Sequence, residues 1–279
     1  MNLNALAISR EYREKFDRLT AELKGYKRIA LAFSGGVDST FVLAAAIAGG
    51  VDTILAVTLI SCFFTRREKQ RVLSLVRQMG VDHLCLESDI LNCEDVVRND
   101  EKRCYFCKQQ GFSMIRDAAR ERGIHTLVHG INLDDLGDYR PGIEAAKELG
   151  FKAPLVEAGF SKQEIRECSR QMGLDTWHIP SQSCLATRIP VGEPITLEKL
   201  ERIEQAEAFL HELGLTQVRV RCHGSMARIE TLFDEVDMLM APNAREKVSG
   251  ALKEIGFDFV ALDLDGYRTG KMNLKNGPG

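Results

Sequence analysis

Residues 27–33, Lys-Arg-Ile-Ala-Leu-Ala-Phe, form a short apolar run followed by Ser34-Gly35-Gly36-Val37-Asp38-Ser39 and then by the alanine- and leucine-rich stretch 40–47. That order predicts a strand, a glycine turn and a helix, with Gly49-Gly50 as the helix stop. The alternation continues. Residues 53–60 predict a buried strand, 65–79 an amphipathic helix, 83–86 a strand, and 126–130 another after the helical stretch 112–122. Strands alternating with helices imply an α/β domain whose mostly parallel sheet is covered on both faces, with ligands at the carboxyl ends of its strands. Ser161-Lys162-Gln163-Glu164 has capping-box spacing and predicts a helix from there to Met172. The pattern then changes. Pro180, Pro190, Pro194 and Gly192 bracket an irregular segment, 181–188. Beyond it a helix at 197–213, strands at 217–222 and 226–231, a helix at 243–255 and a strand at 257–262 predict a smaller α+β domain. Two domains are therefore expected, 1–183 and 184–279, with residues 273–279 as a frayed tail.

A chain of 279 residues that is 44% hydrophobic and 28% charged fits two globular domains and excludes disorder and collagen. No apolar run approaches the roughly 20 residues of a membrane-spanning helix, and residues 1–10 lack the order of a secretory signal, so a cytoplasmic protein is expected. Lys+Arg 37 against Asp+Glu 40 gives a net charge of -3, which argues against a surface built mainly for nucleic acid. Any anion site must be local.

Two glycines after a strand let the backbone turn with its amides inward, and the helix start behind them adds positive charge, so phosphate is the natural guest. The lysine-bearing phosphate loop of kinases and GTPases is absent, and so is the Gly-x-Gly-x-x-Gly of dinucleotide folds. The bland alternative is a glycine turn that binds nothing. Among eight cysteines, Cys104-Tyr105-Phe106-Cys107 stands out, with Lys102, Arg103 and Lys108 alongside to favour thiolate. Two ligands are too few for a structural zinc. Cys184, in the proline-bracketed segment, is the best third candidate; three thiolates would leave one iron of a 4Fe-4S cluster without a protein ligand, able to carry sulfide. A thiol redox switch, or cysteines that merely pack, are the alternatives. Cys62, Cys85, Cys93, Cys168 and Cys222 fall on predicted strands or helices and read as core or incidental. In the second domain, Arg219-Val220-Arg221 alternates, placing both arginines on one face of a hairpin, where they either bind carboxylate or phosphate or form a solvated, salt-bridged surface. Arg188 and Arg268 are candidates for the same anion site.

Ser34-Gly35-Gly36-Val37-Asp38-Ser39 resembles the pyrophosphate loop (PP-loop) of the ATP pyrophosphatases, a Rossmann-like, HUP-type fold. The resemblance implies ATP cleaved between its α and β phosphates, with Ser34, Gly35, Gly36, Asp38 and Ser39 binding phosphate, Asp38 assisting Mg2+, and Val57, Thr58 and Gly130 near the nucleotide. Further motifs are more specific: Gly130-Ile131-Asn132-Leu133-Asp134-Asp135, Asp138-Tyr139-Arg140-Pro141-Gly142, Pro154-Leu155-Val156-Glu157-Ala158-Gly159, Cys184-Leu185-Ala186-Thr187-Arg188-Ile189-Pro190, and Arg219-Val220-Arg221 with Ala227-Arg228-Ile229-Glu230. Together they resemble the LarE family, ATP-dependent sulfur transferases that make the nickel-pincer nucleotide cofactor.

Such an enzyme would adenylate a carboxylate of pyridinium-3,5-biscarboxylic acid mononucleotide and replace the adenylate oxygen by sulfur. The resemblance implies that Glu207, Arg219, Arg221 and Arg268 hold this acceptor, that Asp38, Cys184 and Arg188 serve the chemistry, and that the protein forms a homo-oligomer. In one branch of the family the cysteine matching Cys184 gives up its own sulfur. The added Cys104 and Cys107 resemble the other branch, in which three cysteines hold a 4Fe-4S cluster supplied by a sulfide donor, and ligation by Cys184 is the expectation. The rivals are a cluster-dependent tRNA thiolase and a non-catalytic nucleotide-binding redox sensor. With aromatic residues at 7% and Trp177 the single tryptophan, the stacking surface a tRNA enzyme needs is not evident.

Overall fold

Phe16, Leu19 and Leu23 recur at helical spacing in α1 (Arg10–Gly25), a charged helix that precedes the first predicted strand. The computed structural model describes residues 7–137, 141–180 and 183–268. After α1 come β1 (Arg28–Ala32), α2 (Val37–Ala48), β2 (Thr53–Ile60), α3 (Arg66–Met79), β3 (Asp82–Glu87), α4 (Glu94–Val97), α5 (Arg103–Glu121) and β4 (Thr126–Val128). Then follow α6 (Pro141–Glu148), α7 (Pro154–Glu157), α8 (Lys162–Gln171), α9 (Leu197–Glu212), β5 (Val218–His223), β6 (Met226–Thr231), α10 (Val236–Met240), α11 (Pro242–Glu254) and β7 (Phe259–Leu262). Asp138, Tyr139 and Arg140 of the family-like motif, Ser181 and Gln182 of the irregular segment, and the expected tail 273–279 lie outside the described residues.

By its contacts the chain divides into two compact units, Met1–Asp89 with Cys104–Gln182, and Ile90–Arg103 with Ser183–Gly279. In the first, four strands pair in the order β3-β2-β1-β4, each pair parallel, as the alternating pattern predicts. Successive residues of β1 serve opposite faces. Ile29 and Leu31 pack with Phe16, Leu19, Phe41, Phe160 and Ile165 of the helical layer around α1, α2 and α8, while Ala30 joins Leu55, Val57, Phe112, Ile115 and Phe151 on the α5 face. Helix α2 is buried on nearly every side, which its alanine-rich sequence allows. Capping boxes start α3 at Thr65 and Glu68 and α8 at Ser161 and Glu164, with both reciprocal bonds made in each. In the second unit β5 and β6 are antiparallel and β7 adds parallel to β6. Among the described residues, no helix is long and apolar enough to cross a membrane.

Two glycines set where the first turn of α2 lies. Gly35 has φ +68°, and a Cβ there would stand 2.7 Å from Val72 Cγ2. A Cβ on Gly130, just past β4, would stand 2.9 Å from the Ser39 amide nitrogen and 3.1 Å from the Asp38 carbonyl carbon. The exit of β4 is thus pressed against the start of α2. We expect Gly130→Ala to destabilise the protein by about 1–3 kcal/mol in denaturant unfolding. Unchanged stability would mean that the backbone after β4 is free to move away.

Elsewhere in this unit, the Tyr26 hydroxyl donates to Glu22 Oε1 at 2.5 Å. Burial, reinforced by Glu157, pushes the Glu22 carboxyl up from 4.5 to about 6 against the opposing bond from Tyr26. A raised native pKa means that the folded chain binds this proton more tightly than the unfolded one. The contribution of Glu22 is therefore complete below about pH 4.5 and is lost as pH rises through about 6. Unfolding midpoints measured from pH 4 to pH 8 (a window of about four units around that value) should fall less steeply for Glu22→Gln than for the parent chain; parallel curves would contradict the shift.

Candidate functional site

Strand β1 is hydrogen-bonded to β2 on one side and β4 on the other, so the loop leaving it stands where strand order switches direction. The Phe33 amide donates to the Val57 carbonyl at 2.8 Å, and Thr58 Oγ1 donates to the Phe33 carbonyl at 2.8 Å, holding the chain to the sheet up to its last residue before the turn. Val57 and Thr58, expected near the nucleotide, are therefore buried sheet residues; the Thr58 hydroxyl also meets His83 Nε2 at 2.9 Å. Ser34, Gly35, Gly36, Asp38, Ser39 and Gly130 come together as the motif predicts. The Ser39 hydroxyl donates to the Gly36 carbonyl at 3.2 Å and accepts from the Ser34 amide at 3.3 Å, and Gly36 caps α2 with extended backbone. This is a preformed turn at the positive end of a twelve-residue helix.

Asp38 lies in the first turn of that helix with both carboxylate oxygens engaged. Asn132 Nδ2 donates to Oδ1 at 3.2 Å and Lys162 Nζ to Oδ2 at 2.5 Å. Asn132 is itself fixed: its amide donates to Asp135 Oδ2 at 3.1 Å and its Oδ1 accepts from the Asp134 amide at 3.0 Å. The Lys162 amide donates to Asp134 Oδ2 at 2.8 Å. The spacing of glycines found the turn but missed Lys162, a lysine that pairs with Asp38 of the turn's helix without belonging to the motif. Its one sequence signal is its place directly after the capping serine of α8.

Cys104 and Cys107 sit one turn apart near the start of α5, which begins well before the helix predicted from residue 112. Cys104 is exposed and Cys107 half-buried. Lys108 lies over the Phe112 ring, 5.3 Å from its centroid. Arg103 turns its guanidinium to Asn99 Oδ1 and to the Ala186 carbonyl, at 2.5 and 3.3 Å. Cys168 and Cys222 are buried, whereas Cys62 lies in a turn, Cys93 is the N-cap residue of α4, and Cys85, on β3, is exposed. Among the described residues, no three His, Cys, Asp or Glu side chains gather in a metal-ligating group.

In the second unit Cys184 heads a short 3-10 turn, Leu185–Arg188, and is half-buried. The hairpin face predicted for Arg219 and Arg221 exists but is not solvated: Arg188, Arg219 and Arg221 are 3%, 4% and 4% exposed. Arg188 makes a forked pair with Glu207, Nε to Oε1 at 2.8 Å and Nη2 to Oε2 at 3.0 Å. Glu207 also accepts from the Val220 amide at 3.0 Å. Burial works against its charge, but Arg188 prevails and holds its carboxyl below the usual range. Arg221 is paired with Glu230, at 2.7 Å from Nη2. Arg228 shares Glu230, at 3.1 Å from Nη2, and also pairs with Asp263, so among the described residues of this group Arg219 is the arginine without a carboxylate ion pair. Its Nη1 donates to the Val218 carbonyl at 2.8 Å, and its plane lies 5.4 Å from the Tyr267 ring centroid. Its Nε and Nη2 are buried without a hydrogen-bond partner among the described residues. Burial, then Arg188, lowers its pKa. Buried donors are normally matched, so a buried guanidinium with two unpartnered donors among the described residues stands out. Arg268, expected in the same group, is exposed beside Tyr267 at the end of the described residues.

No protein-family model matches the chain. Over 256 residues it is 34% identical to the pyridinium-3,5-bisthiocarboxylic acid mononucleotide synthase of Lactiplantibacillus plantarum, a match that covers 91% of this chain and 92% of that protein. An uncharacterized protein of Synechocystis sp. is 38% identical over 246 residues, covering 88% of this chain and 92% of the other. A weaker similarity, 29% over 226 residues and 72% of this chain, extends to the glutamine-hydrolyzing GMP synthase of Thermus thermophilus, 44% of which is covered. An alignment that runs nearly end to end on both chains at the first of these identities is a family relationship, and the chain belongs to the LarE family, that of the mononucleotide synthase.

Proposed function

We propose that this chain is an ATP-dependent sulfur transferase acting on pyridinium-3,5-biscarboxylic acid mononucleotide in the synthesis of the nickel-pincer nucleotide cofactor. The observation that carries the reading is the unmatched buried guanidinium of Arg219, which suits an acceptor bearing carboxylates and a phosphate. The similarity to the mononucleotide synthase, and more distantly to a GMP synthase, supports the same acceptor and the use of ATP.

A carboxylate is a poor electrophile, so one of its oxygens first attacks the α-phosphorus of ATP. The bond to the β-phosphate oxygen breaks and pyrophosphate leaves. The amides of the glycine turn, the start of α2 and Lys162 stabilise the charge that develops on this leaving group. Asp38, exchanging Lys162 for Mg2+, would hold the ion with a single carboxylate, and the phosphates and water would supply the remaining oxygens that this cation requires. A sulfur nucleophile then attacks the acyl carbon, the carbon–oxygen bond breaks, and AMP departs with the former carboxylate oxygen, leaving a thiocarboxylate. Arg219 anchors the acceptor's negative charge so that both attacks occur within one bound complex. Two rounds yield the dithiolated product.

By donor type Cys104, Cys107 and Cys184 fit a 4Fe-4S cluster with one iron lacking a protein ligand, and such a cluster would supply bound sulfide. The chain's own part is to provide three thiols, two of them held at fixed separation by one helical turn.

Arg219→Ala should raise KM for the acceptor mononucleotide about ten- to hundredfold, the loss of a charge-assisted pair, with KM for ATP unchanged. An unaltered acceptor KM would remove Arg219 from the site. Cys104→Ala, reconstituted anaerobically with iron and sulfide, should lack the brown colour and multiple-turnover sulfur transfer of the parent while still binding ATP. Undiminished multiple turnover would refute the cluster, and a strict requirement for tRNA would transfer the activity to the thiolase reading.

A further inference from the structure

The turn that carries Cys184 has no sheet or long helix to satisfy its backbone; its own amides bond the Cys184 and Ala186 carbonyls, from Thr187 and Ile189 at 3.0 and 3.2 Å, and buried side chains of its unit add further donors. Arg188 Nη1 donates to the Ser183 and Cys184 carbonyls at 2.6 and 3.0 Å. Arg221 Nη1 donates to the Thr187 carbonyl at 3.0 Å. Arg103 Nη1 donates to the Ala186 carbonyl at 3.3 Å. Arg188 and Arg221 also have carboxylate partners nearby, whereas Arg103 is steered by an amide: Asn99 Oδ1 accepts from the same Nη1 at 2.5 Å. Asn99 is fully buried and has φ +58°, an uncommon conformation for a residue other than glycine. Its Nδ2 donates to the Pro190 and Glu193 carbonyls at 2.8 and 2.9 Å, and its own carbonyl accepts from the Gly192 amide at 2.9 Å. The Val97 carbonyl accepts from the Ile195 amide at 2.9 Å. One short stretch, 97–103, therefore fastens the chain at 186, 190, 192, 193 and 195.

We propose that Asn99 and Arg103 are positioning residues that latch the Cys184 turn and so fix where its sulfur is presented. The inference rests on the reading that Cys184 takes part in sulfur transfer. Nη1 of the buried Arg103 bridges Asn99 Oδ1 and the Ala186 carbonyl, which also accepts from the Ile189 amide at 3.2 Å, so an apolar side chain would take the charged donor from Asn99 Oδ1 and remove a cross-link to the Cys184 turn. Arg103 is also the residue directly before Cys104, so the latch ties the first residue of α5 to the segment two residues beyond Cys184. A displaced thiol is costly in a reaction that depends on alignment.

The test compares the full-length parent, Arg103→Ala and Arg103→Lys as iron-free, reduced protein. Iodoacetamide alkylation of Cys184 is followed by peptide mass spectrometry, with the exposed Cys85 as internal reference. In Arg103→Ala we expect Cys184 to react about threefold faster or more, as a loosened segment should, while Cys85 is unchanged. In the reconstituted enzyme kcat for sulfur transfer should fall about tenfold with KM for ATP unaltered, and Arg103→Lys should recover part of both effects. A folded Arg103→Ala with parental Cys184 reactivity and kcat would overturn the latch. Should that variant fail to fold, Arg103→Lys carries the same two readouts, and parental values there would overturn it equally. Cys184→Ser separates the two ideas: full sulfur transfer without the thiol would overturn the role given to Cys184, while the alkylation rates still decide whether the latch holds the turn.

Discussion

The glycine turn before α2 depends on β1 being an interior strand. With parallel neighbours on both sides, its backbone is bonded as far as Ala32, and the bonds of Phe33 to Val57 and Thr58 extend the attachment by one more residue. The chain can leave the sheet at one point only, and it must reverse at once because α2 packs back on the same strand. A residue with positive φ is required there, and Val72 leaves no room for a side chain, so Gly35 answers both demands. Sheet and helix hold the two ends of the turn, and within it the Ser34 and Gly36 amides donate to the Ser39 and Ser34 hydroxyls at 3.3 and 3.4 Å, so its shape is set by the chain itself.

Asp38 shows how the same arrangement manages charge before any ligand arrives. A carboxylate in the first turn of a helix is favoured by the helix dipole, but it also opposes a phosphate approaching the same place. Lys162 and Asn132 neutralise and orient it from elements far along the chain, 124 and 94 residues away. Asp38 therefore stands at the start of α2 as half of an ion pair, further oriented by Asn132, rather than as a bare negative charge.

Local pattern made much of this legible. Strands β1 and β2, helix α3 and the capped start of α8 announce themselves through alternation, a 3.6-residue period and a capping box, all of which act within a few residues. Helix α1 was not read, because its charged residues outnumber the three apolar positions that face the core. The first turns of α5 were missed for a related reason: Cys-Tyr-Phe-Cys carries no polar-apolar period. For β5 the alternation placed Arg219 and Arg221 on one face, yet whether that face meets water depends on the segments that cover it. Lys162 and Asn99 were invisible as site residues, since each acts on a partner remote in sequence.

The second unit uses buried arginine where a sheet would use amides. Burying a guanidinium is expensive unless its donors are matched, so a cluster of three is tolerated only where acceptors are abundant. The carbonyls of an irregular turn are such acceptors, because no ladder consumes them. Glu207 and Glu230 cancel two of the charges, and the turn's carbonyls take the remaining donors of Arg188 and Arg221. That distribution separates two tasks that the spacing of arginines in the sequence could not distinguish. Arg188 and Arg221 are engaged by carboxylates and by the Cys184 turn, so their geometry is set by the protein itself. Of these three, Arg219 keeps two donors, Nε and Nη2, that are buried without a hydrogen-bond partner among the described residues, so its charge is not cancelled by the pairs that fix Arg188 and Arg221.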